Sequence, residues 1–309
     1  MEARSIKVGT RGSALALWQT KWVISRLCEA IPSISCDIEI IKTEGDRRQD
    51  IPLPSVGAQG VFVAELEAAV ADGRVDLAVH SSKDLPTVLH PDLFLGAFMP
   101  REDAHDVIVS RKYKSFAELP DGARIGTGSF RRIAQLKTHN PSWQFEDLRG
   151  NLDTRLAKLE QLDFDAIILA AAGLVRLGLE DRITARIPMG VCLPAVGQGA
   201  VAIEIRKSDT YLTEALKALD DSATRAAVLA ERAMLRTVQG GCQAPVAAHG
   251  TLHGDHLQLE ALVAAMDGSR VLRRVMDGPM AKPDELGQAL GQELLDLGAS
   301  EILGAARVG

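Results

Sequence analysis

The chain has 309 residues, beyond the ~250–300 at which a single core usually stops growing, so more than one domain is expected. With 46% hydrophobic and 25% charged residues, and neither a run near the ~18 apolar residues of a membrane span nor a secretory signal core after Met1, the composition points to a cytoplasmic globular protein. A net charge of −6 argues against a general nucleic-acid surface, and four irregularly spaced cysteines without a Cys-x-x-Cys pair argue against structural zinc and a disulfide framework. Cys28, Cys36 and Cys192 read as packing residues, no metal site is expected, and any basic site must be a local concentration of Arg and Lys.

Taken in order, Ile6–Thr10 reads as a strand ending in a glycine turn, and Ser13 caps a helix with Leu15, Trp18, Trp22 and Val23 at helical spacing. Residues 37–42 read as a second strand. The charged stretch 43–60, with Pro52, Pro54, Gly57 and Gly60, reads as a lid or flap. A helix over 62–72 and a strand over 76–80 then run into Ser81-Ser82-Lys83-Asp84. After a strand at 107–110 and a short helix at 116–119, Arg124-Ile125-Gly126-Thr127-Gly128-Ser129 repeats the opening scheme of Lys7 to Ser13. The helix at 154–161 and strand at 165–170 repeat the later part, roughly 115 residues on. Two copies of one α/β domain are expected.

The apolar strand 200–205 has nowhere obvious to go except back across a hinge to the first copy. The expected fold is therefore two similar periplasmic-binding-protein-like α/β domains with a hinge and an active-site cleft between them, plus a small C-terminal α+β domain. That last domain comprises a helix at 222–238, strands at 246–252, 257–264 and 271–276, and a helix at 283–297. The domains run over 1–99 with 200–218, 100–199 and 219–309.

Between the 222–238 helix and the strand at 246 lies Gly240-Gly241-Cys242-Gln243-Ala244-Pro245. Two glycines can end the helix in left-handed geometry and Pro245 stops it resuming, which leaves Cys242 either an accessible thiol at a turn or a buried residue behind a helix cap.

Three turns are expected to face the cleft: Thr10 to Ser13, Ser81 to Asp84, and Thr127 to Arg132. Each lies at a strand-to-helix junction where free N–H groups favour anions. Each also carries Arg or Lys beside a hydroxyl, and Arg149-Gly150-Asn151, Arg155 and Arg176 add guanidinium groups. There is no Gly-x-x-x-x-Gly-Lys-Ser/Thr and no Gly-x-Gly-x-x-Gly, so a ligand bearing several carboxylates fits better than a nucleotide. Asp84 is the odd member: it is either a salt-bridge partner of Lys83 or a helix cap, or else a carboxylate that holds an N–H or a transient cation. His80 is a candidate general base, though a histidine at a strand end is more often structural.

Gly9-Thr10-Arg11-Gly12-Ser13-Ala14-Leu15-Ala16, His80-Ser81-Ser82-Lys83-Asp84, Gly126 to Arg132, Arg149-Gly150-Asn151 with Arg155, Leu193 to Gly199, and Glu231-Arg232-Ala233 leading to Gly240-Gly241-Cys242-Gln243 resemble the porphobilinogen deaminase (hydroxymethylbilane synthase) family over essentially the whole chain. The resemblance implies a monomeric, cytoplasmic transferase of porphyrin and heme biosynthesis. It would join four porphobilinogen molecules head to tail with loss of ammonia and release linear hydroxymethylbilane by hydrolysis. It also implies a dipyrromethane cofactor, held by a thioether to Cys242 and contacted by Lys83, Asp84, Ser129, Arg131 and Arg132. Asp84 is then the catalytic residue, stabilising the electron-poor methylene-pyrrolenine left when ammonia departs. Arg11, Ser13, Gln19, Ser81, Arg149, Arg155, Arg176 and Gln198 are the implied substrate-binding set. Gln59 stands in the flap where many relatives carry lysine, and Ser82, Gly128 and Phe130 also differ from some relatives. Two other classes remain open on the residues alone: a non-catalytic anion receptor, and a thiol hydrolase pairing Cys242 with His249.

Overall fold

The computed structural model describes residues 4–47, 63–240 and 244–308. The chain forms two compact units, 1–102 with 200–225 and 103–199 with 226–309. The proposed flap lies largely outside the described residues, Gln59 included; its start, Glu44–Arg47 (α2), is one helical turn.

In the first unit β1 (Arg4–Thr10) leads to α1 (Ala14–Ala30), with Ser13 accepting the Ala16 N–H at its N-cap as expected. Then come β2 (Ile34–Ile40), α3 (Ala64–Ala71), β3 (Leu77–Ser81) and β4 (Leu93–Phe98). The sheet order is β2-β1-β3-β10-β4, where β10 (Val201–Arg206) is antiparallel to both its neighbours and the other pairings are parallel. The strand at 200–205 thus returns to the first sheet. Strand β2 starts three residues earlier than expected because Arg4 pairs with Ile34 and sets the register.

Both sheet faces are covered. Ile6, Val8, Leu77, Val79, Val201, Ile203 and Ile205 pack under Val23 and Leu27 of α1 and Leu212 and Leu216 of α7 (Thr210–Leu216). Ala78 and Leu93 pack with Leu66, Ala69 and Val70 of α3 on the opposite face. A strand buried on both faces reads as a nearly continuous apolar run, which is why β3 and β10 were easy to see.

The second unit repeats the plan. Strands β5 (Asp106–Val109), β6 (Arg124–Gly126), β7 (Gln144–Glu146), β8 (Ala166–Ala170) and β9 (Ala185–Arg186) lie in the order β7-β6-β8-β5-β9, with β6 parallel to β7 and β8 and β5 antiparallel to β8 and β9. The antiparallel fourth slot holds β5 here and β10 in the first sheet, in each case the first strand after the chain passes from one unit to the other. Helices α4 (Phe130–His139), α5 (Leu152–Gln161) and α6 (Ala171–Arg176) follow β6, β7 and β8. Val107, Val109, Ile167 and Leu169 pack on α5 and α6, while Ile108, Ile125, Ala166 and Ile168 pack with Leu136 of α4 and Trp143.

The C-terminal part belongs to this second compact unit. Its antiparallel sheet β11 (Val246–His253), β12 (His256–Ala264), β13 (Val271–Pro279) is covered on one face by α8 (Ser222–Thr237), α9 (Pro283–Asp296) and α10 (Ala299–Val308). Leu257, Leu259, Ala261 and Val263 point at those helices, while Leu262 and Ala264 pack with Ala134 of α4 and Leu193. Gly287 on α9 lies so close to α8 that a Cβ there would overlap the Ala230 carbonyl oxygen. Glu231, fully buried on α8, accepts the Gly197 N–H at 2.6 Å and the Gly250 N–H at 2.8 Å, fixing the Pro194–Gly199 segment against β11.

Helix α8 does not end as the two glycines suggest. The Gln239 N–H bonds to Arg236 O and the Gly240 N–H to Leu235 O, both at 3.0 Å, which is a Schellman cap with Gln239 as its left-handed residue at φ 54°. Gly240 is favoured for a different reason: a Cβ there would sit 2.5 Å from Leu235 Cδ1, so that side chain would have to shift.

Candidate functional site

Each unit carries its own set of expected site residues at one sheet edge. In the first unit β1 and β3 are parallel neighbours, so the Arg11–Ser13 turn and the Ser81–Asp84 turn leave the same edge. Gln19, one and a half turns into α1, ties them together: its Nε2 donates to Ser81 Oγ at 2.9 Å, and Ser81 Oγ donates to Gln19 Oε1 at 3.1 Å. Gln19 is buried, and its role here is to fix the Ser81 hydroxyl.

Residues 82–84 form a single 3-10 turn after β3. The Ser82 N–H donates to Ala200 O, and its buried Oγ has no hydrogen-bond partner among the described residues. Asp84 is half-buried, and its carboxylate has no hydrogen-bond or ion-pair partner among the described residues. Neither a salt bridge to Lys83 nor a capping bond absorbs its charge. His80 is instead buried behind the turn, its Nε2 3.1 Å from Glu204 Oε2 on β10, which makes it a structural histidine and removes it as an accessible general base.

In the second unit the ends of parallel β7, β6 and β8 present Arg149, the Thr127–Ser129 turn and the start of α6. A Cβ on Gly128 would lie 2.5 Å from Asp147 Oδ1, so a larger residue there would have to turn that exposed carboxylate aside. Ser129 sits at the N-cap of α4 without making a side-chain capping bond. Arg149 donates from Nε to Asp147, Arg155 from Nε to Gly150 O, and Arg176 from Nη2 to Gly199 O at 2.7 Å.

Arg131 and Arg132 are each only 5% exposed, and both engage Asp106 on β5, a residue the sequence did not single out. Arg131 Nη1 reaches Asp106 Oδ2 at 2.6 Å, and Arg132 reaches Oδ1 from Nε at 3.0 Å and from Nη2 at 2.7 Å. Gln198, buried, adds its Nε2 to the same Oδ1 at 3.0 Å and to Ala104 O at 2.7 Å, which gives it a structural position next to the arginines. Burial alone would raise the Asp106 pKa, but Arg131 and then Arg132 outweigh it and hold the carboxyl well below the usual carboxylate range. Cys192 donates to Asp106 Oδ2 at 3.3 Å; burial, then that carboxylate, push its thiol up to about 12, so it is an inert core thiol, as its sequence setting suggested.

The two guanidinium groups are committed unequally. Arg132 uses all three nitrogens, with Nη1 on Ile168 O, whereas every protein bond of Arg131 leaves from Nη1. The Nε–Nη2 edge of Arg131, the forked edge that matches a carboxylate, therefore has no partner among the described residues. This arrangement fits an organic group bearing carboxylates such as a dipyrromethane, with Arg131 and the hydroxyl of Ser129 as the residues that would hold it. Cys242, the expected attachment point, lies outside the described residues. His249, its suggested partner in a hydrolase, is near Glu231 with Nδ1 4.0 Å from Oε1. No group of three or more metal-ligating side chains and no helix long and apolar enough to cross a membrane occurs among the described residues.

Comparison with known proteins agrees with this chemistry. Among solved structures, a nutrient binding protein from Burkholderia cenocepacia bound to methionine (14% identity, 69% of this chain and 91% of that one, TM-score 0.44) and an ABC transporter periplasmic substrate-binding protein from Coxiella burnetii (13%, 72% and 94%, TM-score 0.44) are similar only loosely, too loosely to bear on function. Sequence relatives are far nearer. The porphobilinogen deaminase of Carboxydothermus hydrogenoformans is 48% identical over 97% of this chain and 96% of its own length, and that of Pelotomaculum thermopropionicum 49% over 98% and 97%. Residues 6–214 match "Porphobilinogen deaminase, dipyromethane cofactor binding domain" and residues 225–296 match "Porphobilinogen deaminase, C-terminal domain". With both parts matched and near-half identity along its length, the chain belongs to the porphobilinogen deaminase family.

Proposed function

We propose that this protein is the hydroxymethylbilane synthase of its cell, joining four porphobilinogen molecules head to tail and freeing the linear tetrapyrrole by hydrolysis, with Asp84 as its catalytic carboxylate. The observation that carries the residue assignment is the half-buried Asp84 carboxylate with no partner among the described residues, on the same sheet edge as the Arg11–Ser13 turn. The dipyrromethane cofactor, when bound, supplies the pyrrole carbon to which the first unit is joined.

As ammonia leaves porphobilinogen, positive charge develops on its pyrrole ring. The Asp84 carboxylate near the ring N–H lowers the cost of that charge, and no ion-pair partner among the described residues dilutes its field. Each pyrrole also brings two carboxylates. Arg131 through its Nε–Nη2 edge, together with Lys83 and Ser129, is assigned to the cofactor, with Arg132 supporting that site through the Asp106 carboxylate it shares with Arg131; Arg11, Ser13, Arg149, Arg155 and Arg176 are assigned to the substrate and growing chain. For Gln19 and Gln198 the contacts support positioning, through Ser81 and Asp106.

Cys242 is proposed as the thioether anchor, on a C-terminal part (219–309) acting as a third functional domain that presents the primer. Intact mass spectrometry tests this: wild-type protein is expected to carry a covalent surplus of two pyrrole units that Cys242→Ala lacks. Active wild-type protein of unmodified mass would overturn it. The reading includes a monomer and a cytoplasmic location, the latter suited by free thiols at Cys28, Cys36 and Cys192.

A further inference from the structure

Strand β10 carries one acid within its apolar run, and that acid is committed to the histidine just before the Asp84 turn. Glu204 and His80 are both buried, with Glu204 Oε2 3.1 Å from His80 Nε2. Glu204 Oε1 is buried as well and has no hydrogen-bond partner among the described residues. A carboxyl buried with one oxygen unmet costs stability, and an apolar side chain would fill a central strand without that cost. Of the two acids on α3, which covers this face of the sheet, Glu65 accepts the Glu44 N–H and Glu67 the His90 N–H, so Glu204 is the carboxyl that His80 engages.

Strands β3 and β10 are antiparallel, with His80 opposite Ala202 and Glu204 opposite Ala78, so the bond runs diagonally between them. Their ladder is unbroken, whereas the ladder of β10 with β4 shifts register at Glu204. The end of β3 is therefore held by three bonds: His80 to Glu204, Ser81 to Gln19 of α1, and the Ser82 N–H to Ala200 O. The 3-10 turn that carries Asp84 starts at Ser82.

We propose that Glu204 and His80 are positioning residues for the reaction, whose buried bond fixes the direction in which β3 delivers the Asp84 carboxylate. The proposal rests on the assignment of Asp84 as the catalytic group. Both side chains are too buried to meet substrate and act through the turn. A turn that has lost one of its three bonds still forms, but a catalytic group displaced by ~1 Å can cost about 10²-fold in rate.

The test compares cofactor-loaded variants by steady-state kinetics and thermal melting. In His80→Leu/Glu204→Met both polar groups leave together and apolar side chains of similar size replace them, so the protein should melt at or above the wild-type temperature. Its kcat should nevertheless fall about 10–10²-fold, with KM changed by less than about twofold. Glu204→Gln keeps a hydrogen-bonding group against His80 Nε2 and should turn over at close to the wild-type rate. Added to Asp84→Asn, the double substitution should lower turnover by less than about twofold further, because no charge is left to misdirect. A stable double variant with wild-type kcat would overturn the proposal. So would a full additional loss on top of Asp84→Asn, or a Glu204→Gln enzyme as slow as the double variant. Near-normal turnover of Asp84→Asn alone would instead remove the assignment of Asp84, and the proposal with it.

Discussion

Replacing Asp84 with Asn is expected to lower turnover about 10²–10³-fold while leaving folding and substrate affinity nearly intact. The carboxylate has no bonded partner among the described residues, so neutralising it strands nothing, and the stability change should stay within roughly ±0.5 kcal/mol. An amide of the same shape can still accept a pyrrole N–H but cannot offset positive charge. The loss is therefore confined to the transition state, which appears as a fall in kcat with KM little changed. Asp84→Glu keeps the charge on a longer arm and should recover part of the rate. Steady-state kinetics with porphobilinogen, alongside intact mass to establish that the cofactor is present, check the prediction. Near-normal turnover in cofactor-loaded Asp84→Asn would remove Asp84 from its assigned role.

Asp84 stands out in the sequence as a carboxylate in a basic turn that matches a family motif, whereas Asp106 does not stand out, and the difference is one of contact range. Asp84 stands in a turn beside Lys83, where chemistry is local and the surrounding motif is short. Asp106 opens an apolar strand and meets Arg131 and Arg132 only after the chain has passed through β6 and into α4. Periodicity identifies β5 as a strand but does not say which helix end it faces. A signal was present: one acid inside each of the two apolar return strands, Asp106 in Asp106-Val107-Ile108-Val109 and Glu204 in Val201-Ala202-Ile203-Glu204-Ile205. Both prove fully buried and paired with basic side chains of their own unit. A charged residue within a strand buried on both faces must have a partner, and the cations on the neighbouring helix or strand are the place to look.

The repeat of the α/β plan was legible because Gly-Thr turns and Asp-headed apolar strands recur in the same order. The short strands β7 and β9 and helix α10 were not, since three residues or fewer carry no period and an alanine-rich terminal segment has a weak one. At the Cys242 turn, composition named the correct helix end but the wrong left-handed residue. Gly240 packs closely against Leu235, and Gln239 takes the positive φ, a detail of packing that two adjacent glycines conceal.

Asp106→Ala should be among the most destabilising single substitutions in the second unit. Removing one member of a buried ion cluster typically costs ~3–5 kcal/mol, because the remaining charge is left in a poorly solvating interior. Here two guanidinium groups would be left, and Gln198 would lose one of its acceptors. At roughly 2–4 °C per kcal/mol for units of this size, the melting transition should fall by on the order of 10 °C. Asp106→Asn restores the shape without the charge and should recover only part of that loss. The acid side gives an independent readout. A carboxyl held below its unfolded value of ~3.9 contributes its full stability above that pH. As pH falls below ~4 the unfolded chain takes up a proton that the folded one refuses, so wild type should lose stability steeply there, and Asp106→Asn should lose less over the same range. Calorimetry across pH 3–7 separates the two proteins. If Asp106→Ala melts within a degree or two of wild type, the buried arginines are not held as charges by this carboxylate, and the open Nε–Nη2 edge of Arg131 loses the anchor that aims it.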